Sequence, residues 1–162
     1  MKIRVAGEVF PSFNSTNGIA VDVYLSGCAR EPKCRGCHNP LLWDFNYGKE
    51  FSIDEYVKII QEKYRDADSI TIMGGEPLNH PNIVEFLQAC KTHLHTKTIW
   101  LYTSYELCDI PEEVLPFVNY IKTGRYDMSK KCYGRLGSKN QKIWKKRINE
   151  KNEPIFEELA WA

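Results

Sequence analysis

The stretch that decides the fold reads IAVDVYLSGCAREPKCRGCHN, residues 19–39, and it joins an apolar run to a group of cysteines. Residues 19–25 alternate in the manner of a β-strand. Ser26 and Gly27 would then turn the chain into a loop at the carboxyl end of that strand. In α/β proteins, the loops at the carboxyl ends of the strands carry the chemistry. The sequence therefore predicts a strand that leads directly into a functional loop.

The loop of residues 28–39 contains three of the six cysteines, at Cys28, Cys34 and Cys37. In a reducing compartment, such a group indicates metal binding and not a disulfide framework. Three thiolates can hold three irons of a [4Fe–4S] cluster and leave the fourth open to a ligand. The alternatives are a zinc site that also uses His38, or cysteines that only fill space. Structural zinc sites usually have a second close pair of ligands, and this chain has no second close pair of cysteines. The residues alone nevertheless leave iron–sulfur and zinc equally open.

Composition limits what the remaining residues can form. With 162 residues, 43% hydrophobic and 27% charged, the chain is long enough for one compact domain, residues 1–162. A net charge of +1 with interspersed signs predicts neither nucleic acid nor a membrane as a main partner. Residues 1–10 do not resemble a signal peptide, and no apolar run approaches the ~20 residues of a membrane span. We therefore expect a cytoplasmic protein.

Strands and helices alternate along the chain. Apolar runs predict further strands at residues 2–10, 69–73, 97–102 and 118–122. Apolar residues at helical spacing predict a helix over residues 53–64, with Ser52 and Glu55 as a capping box. A second helix is predicted from Pro81 to about residue 93, with Cys90 on its buried face. Such alternation predicts a parallel sheet with right-handed crossovers.

The last third of the chain has a weaker pattern. A short helix can start at Pro111, and residues 124–140 are expected to be irregular or a hairpin. Residues 141–148 are interpreted as a basic helix and residues 154–162 as a terminal strand or tail. A closed eightfold barrel takes about 200 residues or more, so the fold class predicted here is α/β with a partial, TIM-like barrel. Its open side could admit a protein segment laterally.

Three runs of residues carry a resemblance to a known superfamily. The cysteine loop, MGGEPL at residues 73–78 and WLYTSY at residues 100–105 together resemble the radical S-adenosylmethionine (SAM) enzymes. The CHNP run with Trp43 downstream, WLYT, and GSKNQ at residues 137–141 are similar to the activating proteins of anaerobic ribonucleoside-triphosphate reductase. One departure is the cysteine spacing, C-x5-C-x2-C where the superfamily usually has C-x3-C-x2-C. A loop absorbs two extra residues at little cost.

The resemblance implies a [4Fe–4S] cluster with Cys28, Cys34 and Cys37 as ligands and SAM as the cofactor on the open iron. In that family, an electron from the cluster cleaves SAM to methionine and a 5′-deoxyadenosyl radical. The radical then abstracts a hydrogen atom from a glycine of the partner. The resemblance implies that the cluster and SAM carry the catalysis, and it gives no side chain a catalytic role. The implied partners are the large subunit of the reductase and a flavodoxin- or ferredoxin-type electron donor.

The resemblance also suggests which residues contact SAM: Asn39, Gly74, Gly75, Glu76, Thr103, Ser104 and Lys122. Gly74 and Gly75 would leave room for the cofactor, so Gly75→Val is expected to spare the cluster and exclude SAM. Lys122 could reach the SAM carboxylate, and His38 could tune the cluster through a hydrogen bond. The plain alternatives are turn formation by Asn39, loop capping by Thr103 and Ser104, and a solvated lysine.

Two classes of function remain open from the sequence. The first is a radical SAM enzyme that makes a glycyl radical on a large reductase, and the second is a zinc-binding adaptor with a structural cysteine loop. Within the enzyme class, the chain could instead activate another glycyl-radical enzyme or act on a metabolite. Activators of other glycyl-radical enzymes often carry extra cysteine clusters, which this sequence lacks.

Overall fold

One mixed sheet organises the computed structural model, which describes residues 1–134 and 136–160. Within those residues the sheet has eight strands: β1 (Lys2–Ser12), β2 (Ala20–Leu25), β3 (Lys49–Ser52), β4 (Ser69–Gly74), β5 (Thr98–Tyr102), β6 (Tyr120–Thr123), β7 (Lys142–Ile148) and β8 (Pro154–Leu159). Their order across the sheet is β3-β1-β2-β4-β5-β6-β7-β8. Strands β2, β4, β5 and β6 are mutually parallel, whereas β1, β3, β7 and β8 pair antiparallel with their neighbours.

The helices α1 (Ile53–Lys63) and α2 (Ile83–His93) cover the apolar face of this sheet. Side chains of a strand alternate between the faces, so Val21, Val23 and Leu25 of β2 point towards the helices and are almost fully buried. They join one core with the apolar stripes of α1 and α2. Cys90 of α2 is fully buried there, which confirms its prediction as a core residue.

Part of the opposite face of the sheet is covered by the segment between β1 and β2, residues 13–19. Trp100 donates its indole N–H to Asn17 Oδ1 at 3.0 Å, and the Tyr102 hydroxyl donates to the carbonyl of Asn14 at 2.7 Å. These hydrogen bonds hold the segment across the middle strands. This polar and aromatic layer forms the floor of the site described below.

The prediction of an α/β fold with parallel central strands is confirmed. The partial barrel stays a prediction, because strand order and pairing define an open sheet without fixing its curvature. Both predicted helices are present, although α2 begins at Ile83 and not at Pro81. The predicted terminal strand is present as Pro154–Leu159, and residues 161–162 lie outside the described residues. No helix in the described part of the chain is long and apolar enough to cross a membrane.

Two local predictions were wrong. Residues 141–148 do not form a helix, because Lys142–Ile148 is strand β7, hydrogen-bonded to β6 and β8. Sheet pairing overrides the favourable helix propensity of the lysines and arginine there. The predicted capping box is absent, since the Ser52 side chain makes no capping hydrogen bond to α1. Instead, Ser52 pairs with Lys2 in the sheet and the carbonyl of Met1 accepts the Ile53 N–H at 3.0 Å.

A buried carboxylate lies under the polar floor. Asp22 is 1% exposed, and its Oδ2 accepts hydrogen bonds from Ser12 Oγ at 2.7 Å and Asn14 Nδ2 at 2.6 Å. Burial raises the pKa of Asp22, and hydrogen bonds from Ser12 and Asn14 offset part of that effect. When the pKa of a carboxyl group is higher in the folded than in the unfolded chain, the folded chain binds the proton more tightly. The free energy of unfolding then falls as the pH rises from the pKa of the unfolded chain through the pKa of the folded chain.

We therefore predict that Asp22→Asn becomes more stable relative to the unmodified protein as the pH rises from about 4 to about 7. The amide keeps an acceptor for Ser12 and Asn14 but is not ionised by the pH change. Urea denaturation across this range measures the difference in free energy of unfolding. Glu62→Gln, an exposed change on α1, is the control and should show no comparable trend. A difference for Asp22→Asn that stays constant with pH would contradict the assignment.

Candidate metal and cofactor site

The cysteine loop and the turn after β4 meet at a backbone joint, formed by residues 25–27, residue 42 and residues 74–76. The N–H groups of Gly75 and Glu76 donate to the carbonyls of Leu25 and Gly27 at 3.0 and 2.8 Å. The Gly27 N–H donates in turn to the carbonyl of Leu42 at 2.8 Å. These bonds link three segments that are distant in sequence. The joint therefore sets where the cysteine loop leaves β2.

Both glycines of the turn are required by this joint. A Cβ added to Gly75 would overlap the carbonyl oxygens of Gly27 and Leu42. Gly74 has a φ of +139°, and a Cβ there would overlap the backbone of Leu25. The expectation that Gly75→Val would affect only the cofactor is therefore wrong, because the new side chain meets the backbone of the cysteine loop first.

The three loop cysteines are free thiols, each partly exposed. The Cys37 N–H donates to the carbonyl of Cys34 at 3.2 Å, and the Cys28 N–H donates to the carbonyl of Trp43 at 3.3 Å. Burial raises the pKa of the Cys28 thiol, while the nearby backbone of Arg30 and ammonium of Lys33 lower it. A bound metal would remove the proton from each thiol.

The chemistry of this donor set fits an iron–sulfur cluster. Among residues 1–134 and 136–160, no three His, Cys, Asp or Glu side chains converge closely enough to hold a single metal ion. In a cubane cluster each cysteine binds a different iron, so the three sulfurs need not converge on one point. Three thiols on one loop are the ligands that such a cluster uses.

A cavity of about 280 Å³ opens beside the loop, at the carboxyl ends of β2, β4, β5 and β6. Eight of the ten predicted site residues line it, and only Cys28 and Glu76 do not. The eight are Cys34, Cys37, Asn39, Gly74, Gly75, Thr103, Ser104 and Lys122. Parallel strands bring their carboxyl ends to the same edge of a sheet, so residues from separate motifs meet here.

Glu76 lies behind the cavity wall and ties two loops together. Its side chain is 2% exposed and accepts hydrogen bonds from the Ser104 N–H at 2.6 Å, the Ser104 hydroxyl at 2.6 Å and the Thr103 hydroxyl at 2.9 Å. It also accepts from the Leu78 N–H at 3.0 Å. The contacts give Glu76 a positioning role towards Thr103 and Ser104.

Lys122 presents a half-buried ammonium to the cavity from the end of β6. Its Nζ lies 4.8 Å from the centroid of the Tyr102 ring. Burial lowers the pKa of Lys122 to about 8, and coulombic attraction to the ionised form of Cys132 opposes that shift. Lys122 is therefore only partly exposed to solvent.

The motif GSKNQ closes one side of the cavity, a role that its sequence did not reveal. Gln141 accepts the Ser138 N–H and donates to the carbonyl of Gly124, both at 3.0 Å. These bonds fold the motif back onto the end of β6. Five further residues line the cavity that were not predicted as site residues from the sequence: Asn14, Tyr24, Tyr102, Tyr126 and Gln141. His38 packs against Tyr126, with ring centroids 4.5 Å apart.

The extra residues in the cysteine spacing are anchored on neighbouring loops. The Arg30 guanidinium stacks 3.8 Å from the Tyr105 ring centroid, and the Ala29 N–H donates to Asn79 Oδ1 at 2.9 Å. On the other side, the Arg125 guanidinium donates to the carbonyl of Pro32. Glu31 and Pro32 are exposed, so the insertion extends outward while both of its sides are held.

Comparison with known proteins points to the same chemistry as this geometry. Residues 15–144 match the family described as "4Fe-4S single cluster domain". The anaerobic ribonucleoside-triphosphate reductase-activating protein of Enterobacteria phage T4 is 31% identical over 148 residues, which cover 85% of this chain and 91% of the relative. The activating protein of Vibrio cholerae serotype O1 is 28% identical and covers 78% of this chain and 87% of the relative.

The fold of this chain also resembles that of a solved structure. The crystal structure of QueE from Escherichia coli aligns with a TM-score of 0.50 at 17% identity, over 64% of this chain and 53% of QueE. At this identity, the alignment supports a shared arrangement of strands and helices.

We predict that Gly75→Ala destabilises the protein by about 1–3 kcal/mol and lowers its iron content after anaerobic reconstitution, because the Cβ overlaps backbone that cannot move independently. Thermal unfolding and iron analysis measure the two effects. Gly7→Ala is the matched control, since a Cβ at Gly7 meets no atom within 4 Å. Unchanged stability and iron binding in Gly75→Ala would show that the joint tolerates a side chain.

Proposed function

This chain belongs to the 4Fe-4S single cluster domain family and to the anaerobic ribonucleoside-triphosphate reductase-activating proteins. On that premise, we propose that it is a radical SAM enzyme that generates a glycyl radical on the large subunit of the anaerobic (class III) reductase. The observation that carries the proposal is a three-cysteine loop of which Cys34 and Cys37 line a cavity at the ends of the parallel strands. No observation favours a zinc-binding adaptor or a metabolite-directed enzyme.

Cys28, Cys34 and Cys37 would hold the [4Fe–4S] cluster. When bound, the cluster supplies the electron that cleaves SAM reductively and so allows a hydrogen atom to be removed from a glycine of the reductase. Two thiolates hold a cubane poorly, so all three cysteines are needed. The anchored insertion between Cys28 and Cys34 would keep the longer spacing compatible with the cluster.

The cavity would hold SAM through the turn after β4 and through Lys122. The N–H groups of Gly75 and Glu76 already donate to the joint, so this turn can offer SAM its carbonyl oxygens, which suit an ammonium group. Lys122 would attract the SAM carboxylate. Thr103 and Ser104, positioned by Glu76, and Asn39 would complete the polar wall.

A basic surface around the cysteine loop would receive the electron donor, for which we propose a flavodoxin- or ferredoxin-type protein. The Met128 N–H donates to the carbonyl of Arg35 at 3.3 Å, so the cysteine loop and residues 125–139 are adjacent. Together they carry seven cationic side chains among the described residues: Arg30, Lys33, Arg35, Arg125, Lys130, Lys131 and Lys139. The same segments carry Glu31 and Asp127. An acidic donor surface would be steered to this face.

We further propose that residues 1–162 form a single domain whose sheet curves as a partial barrel. One sheet contains strands from residue 2 to residue 159, and side chains from four parallel strand ends or their loops line one cavity. A concave face would bring those ends around a shared cofactor.

Replacing any one of Cys28, Cys34 or Cys37 by Ala is predicted to abolish cluster binding and SAM cleavage. Iron and sulfide analysis after anaerobic reconstitution measures the first, and methionine release measures the second. Cys108→Ala, an exposed cysteine outside the loop, is the control and should retain both.

The function itself is tested by electron paramagnetic resonance. Protein mixed anaerobically with SAM, a reductant and the reductase large subunit should produce a glycyl radical doublet on the large subunit. A colourless protein with tightly held zinc would contradict the proposal in favour of the adaptor. SAM cleavage with a modified small molecule and no protein radical would move the assignment to a metabolite-directed enzyme.

Lys122 gives the binding of SAM a pH dependence. Because the free protein has a Lys122 pKa of about 8, its attraction for a carboxylate should weaken as the pH rises above that value. We predict that Lys122→Met weakens SAM binding about tenfold at neutral pH and reduces the further weakening above pH 8, as expected for a lost charge-assisted contact. Isothermal titration calorimetry of the reconstituted protein measures both. Lys139→Met, exposed and outside the cavity, should bind SAM as the unmodified protein does, with the pH profile that SAM itself imposes.

A further inference from the structure

A second cavity, of about 500 Å³, adjoins the cofactor cavity. Its walls come from residues 6–9 of β1 and from residues 40–42 and 47 of the segment after the cysteines. Tyr24, His38 and Asn39 line both cavities. The two spaces therefore share a wall, and we name the second one the β1 groove.

The groove is open because β1 has small residues where it passes Tyr24. Gly7 is the cross-strand partner of Tyr24, and the pairing shifts register between Val5 and Gly7. Partners across a strand pair share a face, so Gly7 lies on the same face of the sheet as the Tyr24 side chain. A Cβ added to Gly7 would meet no atom within 4 Å. The space above Gly7 is thus not needed for packing within the described chain.

The rim of the groove is apolar and exposed. Val9 is 48% exposed, Leu41 67% and Tyr47 40%. Contiguous apolar surface of this kind marks sites of interaction with another protein or a ligand. The carboxylate in the lining, Glu8, accepts hydrogen bonds from the hydroxyls of Tyr56 and Tyr64, both at 2.7 Å, and so is directed towards α1. The groove accordingly suits an uncharged segment.

We propose that the β1 groove receives the glycine-bearing segment of the reductase large subunit in an extended conformation. The proposal rests on the function proposed above. Hydrogen transfer requires the reacting atoms to come within about 3–3.5 Å, so the glycine itself must reach the cofactor cavity. The wall of Tyr24, His38 and Asn39 is where an occupant of the groove adjoins that cavity. Glycine has no side chain to obstruct such a close approach.

The chemistry balances with the reactants already named. The electron donor supplies one electron, and SAM leaves as methionine and 5′-deoxyadenosine. The glycine Cα loses one hydrogen atom, which becomes part of the deoxyadenosine, and keeps one unpaired electron. The groove contributes only the position of the Cα.

Gly7→Phe tests the groove by filling it, with Gly7→Ala as a smaller step in the same series. Iron content, SAM affinity and SAM cleavage by chemical reductant without the reductase are expected to stay within about twofold of the unmodified protein. The thermal midpoint is expected to stay unchanged. The yield of glycyl radical and the affinity for the large subunit should each fall at least about tenfold in Gly7→Phe, and less in Gly7→Ala, because a filled groove excludes the segment. Ile148→Phe, which places the same aromatic side chain on exposed β7 outside the groove, should change neither.

The outcomes separate this proposal from the proposed function. If Gly7→Phe makes the glycyl radical as well as the unmodified protein does, the segment does not use the groove. Loss of SAM affinity in Gly7→Phe would instead make the groove part of the cofactor site, and a changed oligomeric state in sedimentation would make it a contact between copies of this chain. Both results overturn the proposal. If the unmodified protein binds the large subunit without forming a radical, and Gly7→Phe weakens that binding, the groove is supported and the radical function fails. An unmodified protein that neither binds nor activates the large subunit overturns both.

Discussion

The backbone joint between the β4 turn and the cysteine loop is the constraint on which the site depends. Two N–H groups of the turn bind carbonyls at the end of β2 and the start of the loop, and Gly27 binds Leu42 beyond the cysteines. The cysteines therefore start from a fixed point at the sheet edge. Glu76, the residue after Gly75, accepts hydrogen bonds from Thr103 and Ser104 in the loop after β5. One short turn thus aligns three walls of the cavity.

The two faces of the sheet have different roles, since one packs the apolar core and the other holds the cavity. The face under α1 and α2 carries an apolar core, whose burial is the main stabilising contribution to such a domain. The other face buries Asp22 and half-buries Lys122, and burial raises the pKa of the first and lowers that of the second. Both shifts mark a cost of keeping charged groups away from water. Asp22 lies beneath the cavity and Lys122 lines it, where its ammonium group can bind a ligand.

Much of the fold could be predicted because its signals are local. The core stripes of α1 and α2 and the apolar central strands follow from residue spacing within single segments. Strand β7 could not be assigned in this way, because its lysines and arginine suit a helix as well as a strand. Its neighbours decide the matter, because β7 pairs with both β6 and β8 in the sheet. On the surface, Arg147 of β7 also forms an ion pair with Glu157 of β8 at 2.9 Å. The basic run followed by the acidic residues of β8 was the signal that the prediction overlooked.

The amino-acid sequence by itself located the three-cysteine loop and the strand-end motifs, because the cysteines, the Gly-Gly turn and the Thr-Ser pair each follow a recognisable strand. Parallel pairing then brings those strand ends to one edge, and so eight of the ten predicted residues line one cavity. Only the tertiary structure placed Asn14, Tyr126 and Gln141 there and assigned Gly75 to backbone packing. Those roles depend on hydrogen bonds and close approaches between distant segments, and no local pattern of side chains encodes them.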